Sequence, residues 1–244
     1  MKLRISRLAI YGALATGIAL CSTAWAAQGS ATITKIAGQA EVSTDGTTWT
    51  AAAVAKMISP GSSIRTSTGA QSQVDLSLGG NGGAVQLTSG TELKFERLNL
   101  TSSGAGTVAD TGLDLKSGTI VGTITGQLPA GSKYEVKTPS SLVAINVTRG
   151  PSKYQISANG NSSAVDGSLV VARTGSPVAT VNAGQTFNGT GTAAGTVSAT
   201  PPGLLLALPT PTTGPGPGPS PTAPTAPTVQ FIAPVPEVST VTGR

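Results

Sequence analysis

The amino-acid sequence predicts an all-β domain of short strands in a solenoid-like, sandwich or β-roll arrangement. Apolar side chains alternate with polar ones over short runs, as at Val74, Leu76 and Leu78, which is typical of a strand with one buried face. Turn residues recur every eight to twelve positions. Only 3% of the residues are aromatic, so Val, Ile, Leu, Ala and Thr must form the core, and these favour narrow stacked layers.

Strand and turn signals follow one another along the whole middle of the chain. Five further runs alternate in the same way: Leu93 with Phe95, Leu113 with Leu115, Ile120 with Ile124, Tyr134 with Val136, and Tyr154 with Ile156. The turn signals include Asp45-Gly46, Pro60-Gly61, Ser89-Gly90, Ser117-Gly118 and Asp166-Gly167. Residues 51–57 alone suit a helix, of one or two turns at most. Because no segment repeats at a fixed period, a regular β-helix is not predicted.

The N-terminus is typical of a secretory signal peptide. Its basic residues are Lys2, Arg4 and Arg7. The apolar stretch that follows, residues 8–20, is shorter than the roughly 20 residues needed to span a bilayer. Ala24 and Ala26 place small residues at the −3 and −1 positions of a cleavage site. We therefore expect residues 1–26 to be removed and the protein to be exported, to the periplasm or the medium of a bacterium.

Cys21 raises the alternative of a lipoprotein cleavage site. Such sites require a small residue directly before the cysteine, whereas Leu20 stands there. Cleavage after Ala26 is therefore favoured, and it removes the chain's one cysteine. An exported protein without disulfides fits a bacterial envelope better than a small, disulfide-bonded eukaryotic domain.

The composition excludes several classes of function. Removal of the leader leaves twelve basic and ten acidic residues, a net charge of +2 with no basic run, which argues against nucleic-acid binding. The chain has no His, and without the leader no Cys, so Ser-His-Asp and Cys-His catalysis and the commonest zinc and iron sites are ruled out. We expect no enzymatic activity and no cofactor.

Paired carboxylates are the remaining route to catalysis. Glu92 and Glu96 are close in sequence, and so are Asp110 and Asp114. The first pair flanks an alternating strand pattern, which places both carboxylates on its solvated face. A carbohydrate-active enzyme would require Glu92 or Asp114 to lie buried in a cleft with a partner carboxylate.

The C-terminal residues 201–244 differ in composition from the rest. Residues 201–228 are rich in Pro, Gly, Thr and Ala, which disfavours both helix and sheet. We expect a disordered, extended tail there, and a single folded domain over residues 27–200. The apolar residues 229–232 are too few to cross a membrane, so the mature chain has no predicted transmembrane segment.

Five blocks in the domain resemble the FecR domain, the periplasmic part of iron-dicitrate regulators. The blocks are residues 31–49 with Asp45-Gly46 and Trp49; residues 60–66, which carry the Ile64-Arg65-Thr66 triplet; residues 69–87; residues 113–118; and residues 134–150. The last resembles the family's F-x-V-x-T-P…R-G-T stretch, here with Thr138-Pro139 and Arg149-Gly150. The family-motif residues are thus Arg65, Thr138, Pro139, Arg149 and Gly150, and structural roles are favoured for them.

Three positions depart from the family pattern. Ser62 replaces the usual Asp, Pro151 replaces the final Thr, and residues 146–148 resemble an insertion ahead of the Arg-Gly pair. Arg149 is expected either to clamp turn carbonyls, which is the favoured role, or to contact a ligand.

The resemblance implies a non-enzymatic module that acts outside the cytoplasm. It would bind another protein or an envelope component through exposed strand edges or loops. The alternative is a structural surface or adhesion protein in which the stack of strands acts as a spacer and the tail as a tether.

Overall fold

The computed structural model of the chain describes residues 26–103, 106–189 and 195–199. All of the predicted leader except Ala26, and the whole predicted tail, residues 201–244, lie outside these residues. The described part is all-β, as the sequence predicts. Its strands are β1 Ala26–Gln28, β2 Ala31–Ala37, β3 Ala40–Ser43, β4 Thr50–Ala51, β5 Met57–Ile58, β6 Ser63–Thr66, β7 Gln73–Ser77, β8 Ala84–Leu87, β9 Glu92–Ser103, β10 Gly106–Ser117, β11 Thr119–Ile124, β12 Lys133–Lys137, β13 Ser141–Ile145, β14 Ser152–Ser157, β15 Ser162–Asp166, β16 Ser168–Arg173, β17 Ala179–Asn182, β18 Gln185–Asn188 and β19 Thr196–Ala199.

The strands form two sheets. Sheet A has the order β17-β16-β13-β12-β10-β9-β6-β3-β4, and β1 pairs with β9 outside this path. Sheet B has the order β19-β18-β15-β14-β11-β8-β7-β2-β5. Strand β10 pairs with β12 in parallel, whereas the other strand pairs of the described residues are antiparallel.

The chain winds along the sandwich by alternating between the sheets. Strands β12 and β13 lie in sheet A, β14 and β15 in sheet B, β16 and β17 in sheet A, and β18 and β19 in sheet B. In each of these pairs the first strand lies against the strand that the chain last added to that sheet. The fold is therefore a solenoid-like sandwich in which each strand pair extends the one before it.

The two inner faces share one hydrophobic core. Alternation along each strand turns one set of side chains inward, so that in β12 Tyr134 and Val136 are buried while Lys133 and Lys137 are exposed. The core is mainly aliphatic, and its largest fully buried side chains are Tyr134, Tyr154, Phe95 and Phe187.

A tyrosine pair joins the two sheets through this core. Tyr134 of β12 and Tyr154 of β14 meet edge to face with ring centroids 5.9 Å apart, and the Tyr154 hydroxyl donates to the Tyr134 hydroxyl at 2.8 Å. Gly122 of β11 makes room for this pair, because a Cβ at that position would lie 2.0 Å from Cζ of Tyr154. Burial raises the pKa of both phenols well above 10.

The helix considered for residues 51–57 is wrong. The segment instead contains the last residue of β4, a turn and the first residue of β5. Ala55 has a φ of 67°, outside the helical region, and its N–H donates to the carbonyl of Ile33 at 2.8 Å. This hydrogen bond to β2 satisfies a backbone N–H group that would have bonded within the segment if a short helix had formed. The described residues contain a single 3₁₀ turn, Gly79–Asn81, and no α-helix.

Candidate functional site

Charged side chains face one another across strands β3, β6, β9 and β10 of sheet A. Cross-strand pairing sets Glu41 of β3 opposite Arg65 of β6, and Arg65 opposite Glu92 of β9. Further along, Lys94 faces Asp114 of β10. Oppositely charged neighbours of this kind stabilise a sheet surface, so only a departure from simple pairing points to a functional site.

Such a departure occurs at Arg65. Its Nε donates to Oε2 of Glu41 at 2.7 Å, and its Nη2 lies 2.6 Å from the same oxygen. The guanidinium also lies over the ring of Trp49, 4.1 Å from the centroid. Both charged side chains remain about two-fifths exposed, 42% for Arg65 and 43% for Glu41. Arg65 is therefore fixed in orientation while still open to solvent.

The loop between β3 and β4 holds Trp49 in this position. The Asp45 carboxylate oxygen Oδ1 accepts hydrogen bonds from the backbone N–H groups of Thr48 at 2.7 Å and Thr47 at 2.8 Å, and from the Ser43 hydroxyl at 2.9 Å. These bonds, led by those from Thr48 and Thr47, lower the pKa of Asp45 well below its usual range. The Asp45-Gly46 turn signal is confirmed, and its consequence is an ordered loop that presents Trp49.

A cleft of about 500 Å³ opens beside this cluster. Its walls include Arg65, Glu41 and backbone from the connection between β2 and β3. Gly38 in that connection has a φ of 70°, and a Cβ there would lie 2.6 Å from the Ser72 hydroxyl. A glycine is therefore required to turn the chain tightly enough to form this wall.

Thr138 and Pro139 lie elsewhere, in the turn between β12 and β13. The buried Thr138 hydroxyl accepts from the backbone N–H of Ser141 at 2.9 Å, and it lies 2.9 Å from the Ser141 hydroxyl. Pro139 is exposed at the tip of the turn. Thr138 therefore closes the hairpin between β12 and β13 through its side chain.

Arg149 and Gly150 lie at the other end of β13, in the connection to β14. The Arg149 side chain is exposed, and within the described residues its guanidinium makes no hydrogen bond to a turn carbonyl. The turn is held instead by Ser152, whose hydroxyl donates to the carbonyl of Asn146 at 3.0 Å, and by Asn146, which accepts from Thr148. The segment that resembles an insertion, residues 146–148, therefore supplies the turn contacts expected of Arg149.

The structure thus places the five motif residues in three separate regions. Arg65 lies in the cleft, Thr138 and Pro139 in one turn, and Arg149 and Gly150 in another. Sequence reasoning did not select Glu41 or Trp49 as site residues, although both stand in the first FecR-like block. Glu41 stands between the buried residues Ala40 and Val42, and this alternation could have placed its side chain on the outer face. Its pairing with Arg65, however, depends on the register between β3 and β6.

Two of the four carboxylates considered for catalysis, Asp110 and Asp114, form ion pairs. Asp114 is buried, but its partner is Lys116, 2.5 Å away, rather than a second carboxylate. This hydrogen bond raises the pKa of Lys116. Asp110 pairs with Arg97, as does Glu135, at 3.2 and 2.8 Å. Burial lowers the pKa of Arg97, but the two carboxylates outweigh it and the net shift is upward.

Three further findings concern metal binding, membrane-spanning helices and similarity to known proteins. Within the described residues no group of three His, Cys, Asp or Glu side chains is placed to hold a metal ion. In the same part of the chain no helix is long and apolar enough to cross a membrane. Comparisons with family models, curated proteins and solved structures give no match to this chain.

Proposed function

We propose that this protein is an exported, non-enzymatic, FecR-like binding module that recognises another protein or an envelope component through the cleft at Arg65. The observation that carries the proposal is an arginine that is fixed by Glu41 and Trp49, remains about 40% exposed, and lines a cleft of about 500 Å³.

The geometry of Arg65 suits it to an anionic group. Its contacts with Glu41 use Nε and Nη2 and a single carboxylate oxygen. The other N–H groups of the guanidinium fork remain for a carboxylate or phosphate of the partner. Because Trp49 and Glu41 already restrict the side chain, binding loses less rotamer entropy than it would with a free arginine.

The edge of sheet A adjoins the same cleft. Strand β4 is the edge strand, and Ala51 of β4 is one of the cleft residues. An extended segment of a partner could pair with this edge while one of its acidic side chains reaches Arg65. The edge is two residues long, so the cleft rather than backbone pairing must supply most of the selectivity.

Capture from an envelope extract tests this proposal. The bait is the chain without its leader, compared with Arg65→Lys, which keeps the charge but loses the planar fork. Arg97→Lys is the matched control, since that arginine lies on the same face but is engaged by both Asp110 and Glu135. We expect a saturable partner, identified by mass spectrometry, that Arg65→Lys loses at least tenfold and Arg97→Lys retains. Equal capture by all three baits would refute the assignment of the cleft.

Export is tested by fractionation together with N-terminal sequencing of the mature protein. We expect the protein in the periplasm or medium, beginning at Ala27. A cytosolic product with its leader intact would refute an extracytoplasmic role.

The length of the sandwich favours a second candidate, a structural spacer. Nine strands stacked side by side at about 4.8 Å give a body roughly 40 Å long. A spacer would resist extraction from the cell surface, and Arg65→Lys would leave its attachment unchanged. Soluble periplasmic material with an Arg65-dependent partner would favour the binding module.

A further inference from the structure

We propose that the outer face of sheet B carries a second binding site, which binds a neutral polysaccharide. The site is a cleft of about 260 Å³ over β14, β15, β18 and β19. Hydroxyl and amide side chains line it together with Ala199, and no charged or aromatic residue of the described chain does so. The cleft lies in the other sheet from Arg65, so this inference does not depend on the proposed function.

The register of sheet B builds the floor of this cleft. One residue from each of the four strands lies opposite the next, in the order Gln155, Ser163, Thr186 and Ser198. Alternation turns these side chains outward, because neighbours such as Ile156 are buried in the core. At about 4.8 Å between strands, the row extends over roughly 14 Å. The floor is therefore long enough for more than one sugar ring of a linear chain.

Hydrogen bonds among the lining side chains fix the shape of the cleft. The hydroxyl oxygens of Ser163 and Thr186 lie 2.8 Å apart, and both residues are buried. At the rim, Nδ2 of Asn188 donates to the hydroxyl of Ser198 at 3.1 Å. Because these side chains are already ordered, a ligand that binds there loses little rotamer entropy.

Two amide groups in the cleft retain hydrogen-bonding capacity. Oδ1 of Asn161 accepts from the backbone N–H of Gly189 at 3.0 Å, which orients the amide and leaves Nδ2 for another partner. Within the described residues, neither this Nδ2 nor the side-chain amide of Gln155 makes a hydrogen bond. Both residues are partly buried, so these groups must be satisfied by water or by a ligand.

Elsewhere on the same face the amides are already engaged. Gln73 of β7 and Gln86 of β8 both donate to Oδ1 of Asp75, at 3.0 and 2.8 Å. A carboxylate thus uses the amide donors at that end of the sheet, whereas no carboxylate of the described chain lines the cleft over β14, β15, β18 and β19. The cleft therefore differs from the rest of the face in keeping amide donors for a ligand.

The chemistry of these groups matches the hydroxyls of a sugar. Each sugar hydroxyl both donates and accepts hydrogen bonds, and the amide of Gln155 offers both functions while Nδ2 of Asn161 donates. Among the described lining residues, a phosphate or carboxylate ligand would find no cation, and an apolar ligand would find little apolar wall beyond Ala199. A neutral, polyhydroxylated ligand is the class that fits.

A segment of another protein fits this cleft less well. The cleft lies on the face of the sheet, where β14, β15 and β18 are each paired with a strand on both sides. An incoming strand therefore has no backbone edge to join over these three strands. The ligand must be held by side chains alone.

The same argument favours a polymer over a free sugar. Without an aromatic ring to stack on, each sugar unit is held by hydrogen bonds whose net contribution is small. A polysaccharide presents the same unit repeatedly and so raises its effective concentration at the cleft. We therefore expect the polymer to bind measurably and the corresponding monosaccharide to compete poorly.

Affinity electrophoresis of the chain without its leader tests the proposal. The native gels contain dextran, laminarin or galactomannan as neutral polysaccharides, or polygalacturonate as an acidic one. The mobility of each variant is referred to its own mobility in a gel without polysaccharide. We expect retardation by at least one of the neutral polysaccharides.

Three variants locate the binding site. Gln155→Ala removes one available amide, and Asn161→Asp keeps the acceptor for the N–H of Gly189 while removing the donor. We expect each to raise the dissociation constant at least fivefold. Gln73→Ala is the matched control, since it removes an amide of the same face that Asp75 already engages, and it should keep the full retardation.

Two outcomes would overturn the proposal. One is the absence of retardation by all three neutral polysaccharides, including the case in which Gln155→Ala instead loses a protein captured from an envelope extract. The other is equal retardation of Gln155→Ala, Asn161→Asp and Gln73→Ala, which would place the binding elsewhere. Arg65→Lys should keep the full retardation, so this proposal and the proposed function fail separately.

Discussion

The tyrosine pair in the core and the arginine cluster on sheet A both hold an aromatic ring with a polar contact, but in opposite surroundings. Tyr134 and Tyr154 are fully buried, and the hydrogen bond between their hydroxyls joins the two sheets. Arg65 and Trp49 contact each other at the surface, where Glu41 forms an ion pair with Arg65. The first contact is costly to disturb because water cannot replace a lost partner, whereas at the second it can.

This difference separates residues that maintain the fold from residues that are free to bind. A buried polar pair has no capacity left for a ligand, and its loss affects stability. A half-exposed charged cluster contributes little to stability and can exchange solvent for a partner. The two clusters should therefore respond in opposite ways to substitution.

The largest effect is expected from Gly122→Ala. The new Cβ would lie 2.0 Å from Cζ of Tyr154, so the ring must move within a packed core. We expect a loss of about 3 kcal/mol in the free energy of unfolding, measured by urea titration. Gly126→Ala is the control, because a Cβ there meets nothing within 4 Å. Equal stabilities of the two variants would show that the pair is not tightly packed.

Tyr134→Phe should have the next largest effect. It leaves the Tyr154 hydroxyl without its acceptor in a dry core, at a cost of about 1–3 kcal/mol. Replacing both tyrosines by Phe removes both polar groups, so the double variant should be more stable than the sum of the single changes predicts. Strict additivity in this double-mutant cycle would contradict a coupled pair.

Alkaline pH should weaken the fold through the same two residues. Their folded pKa values lie above 10, so the unfolded state releases its protons first as the pH rises. The contribution of the two buried phenols to the free energy of unfolding is fully present below about pH 10. Above that pH it declines by roughly 1.4 kcal/mol per pH unit for each tyrosine. Urea titrations at pH 8 and pH 11 should show this loss, and the double Phe variant should show much less of it.

Arg65→Ala should have the smallest effect on stability. Both members of the ion pair with Glu41 are more than a third exposed, so we expect a change below about 1 kcal/mol. Trp49 is the one tryptophan of the chain without its leader, and its fluorescence should change when the guanidinium is removed. A loss of several kcal/mol would show that the cluster belongs to the fold rather than to a binding surface.

Much of this fold could be predicted from the sequence because alternation and turn residues are signals carried by short, continuous segments. Alternation identified the buried faces of strands such as β7, and Asp45-Gly46 identified the β3–β4 turn. Contacts between distant segments were not accessible in the same way. The space that Gly122 leaves for Tyr154 depends on the pairing of β11 with β14, which no local pattern encodes.

The candidate site was predicted in part for the same reason. Arg65 was selected by resemblance to a motif, but its partners Glu41 and Trp49 are 24 and 16 positions away in the chain and meet it only through the pairing of β3 with β6. Arg149 was selected in the same way, yet its neighbours Asn146 and Ser152 make the contacts that hold the turn. A motif indicates that a residue matters to a family, whereas the register of the sheet decides what the residue touches.

The pairing of β1 with β9 constrains the order in which the protein can fold. Ala27 lies opposite Leu100, a separation of 73 positions, whereas partners in the other strand pairs of the described residues are at most 45 positions apart, as Thr32 and Ser77 are. At a synthesis rate of 5–20 residues per second, the first strand waits roughly 4–15 s for its partner to emerge. During that interval β1 has no partner strand and the beginning of the chain remains accessible to chaperones.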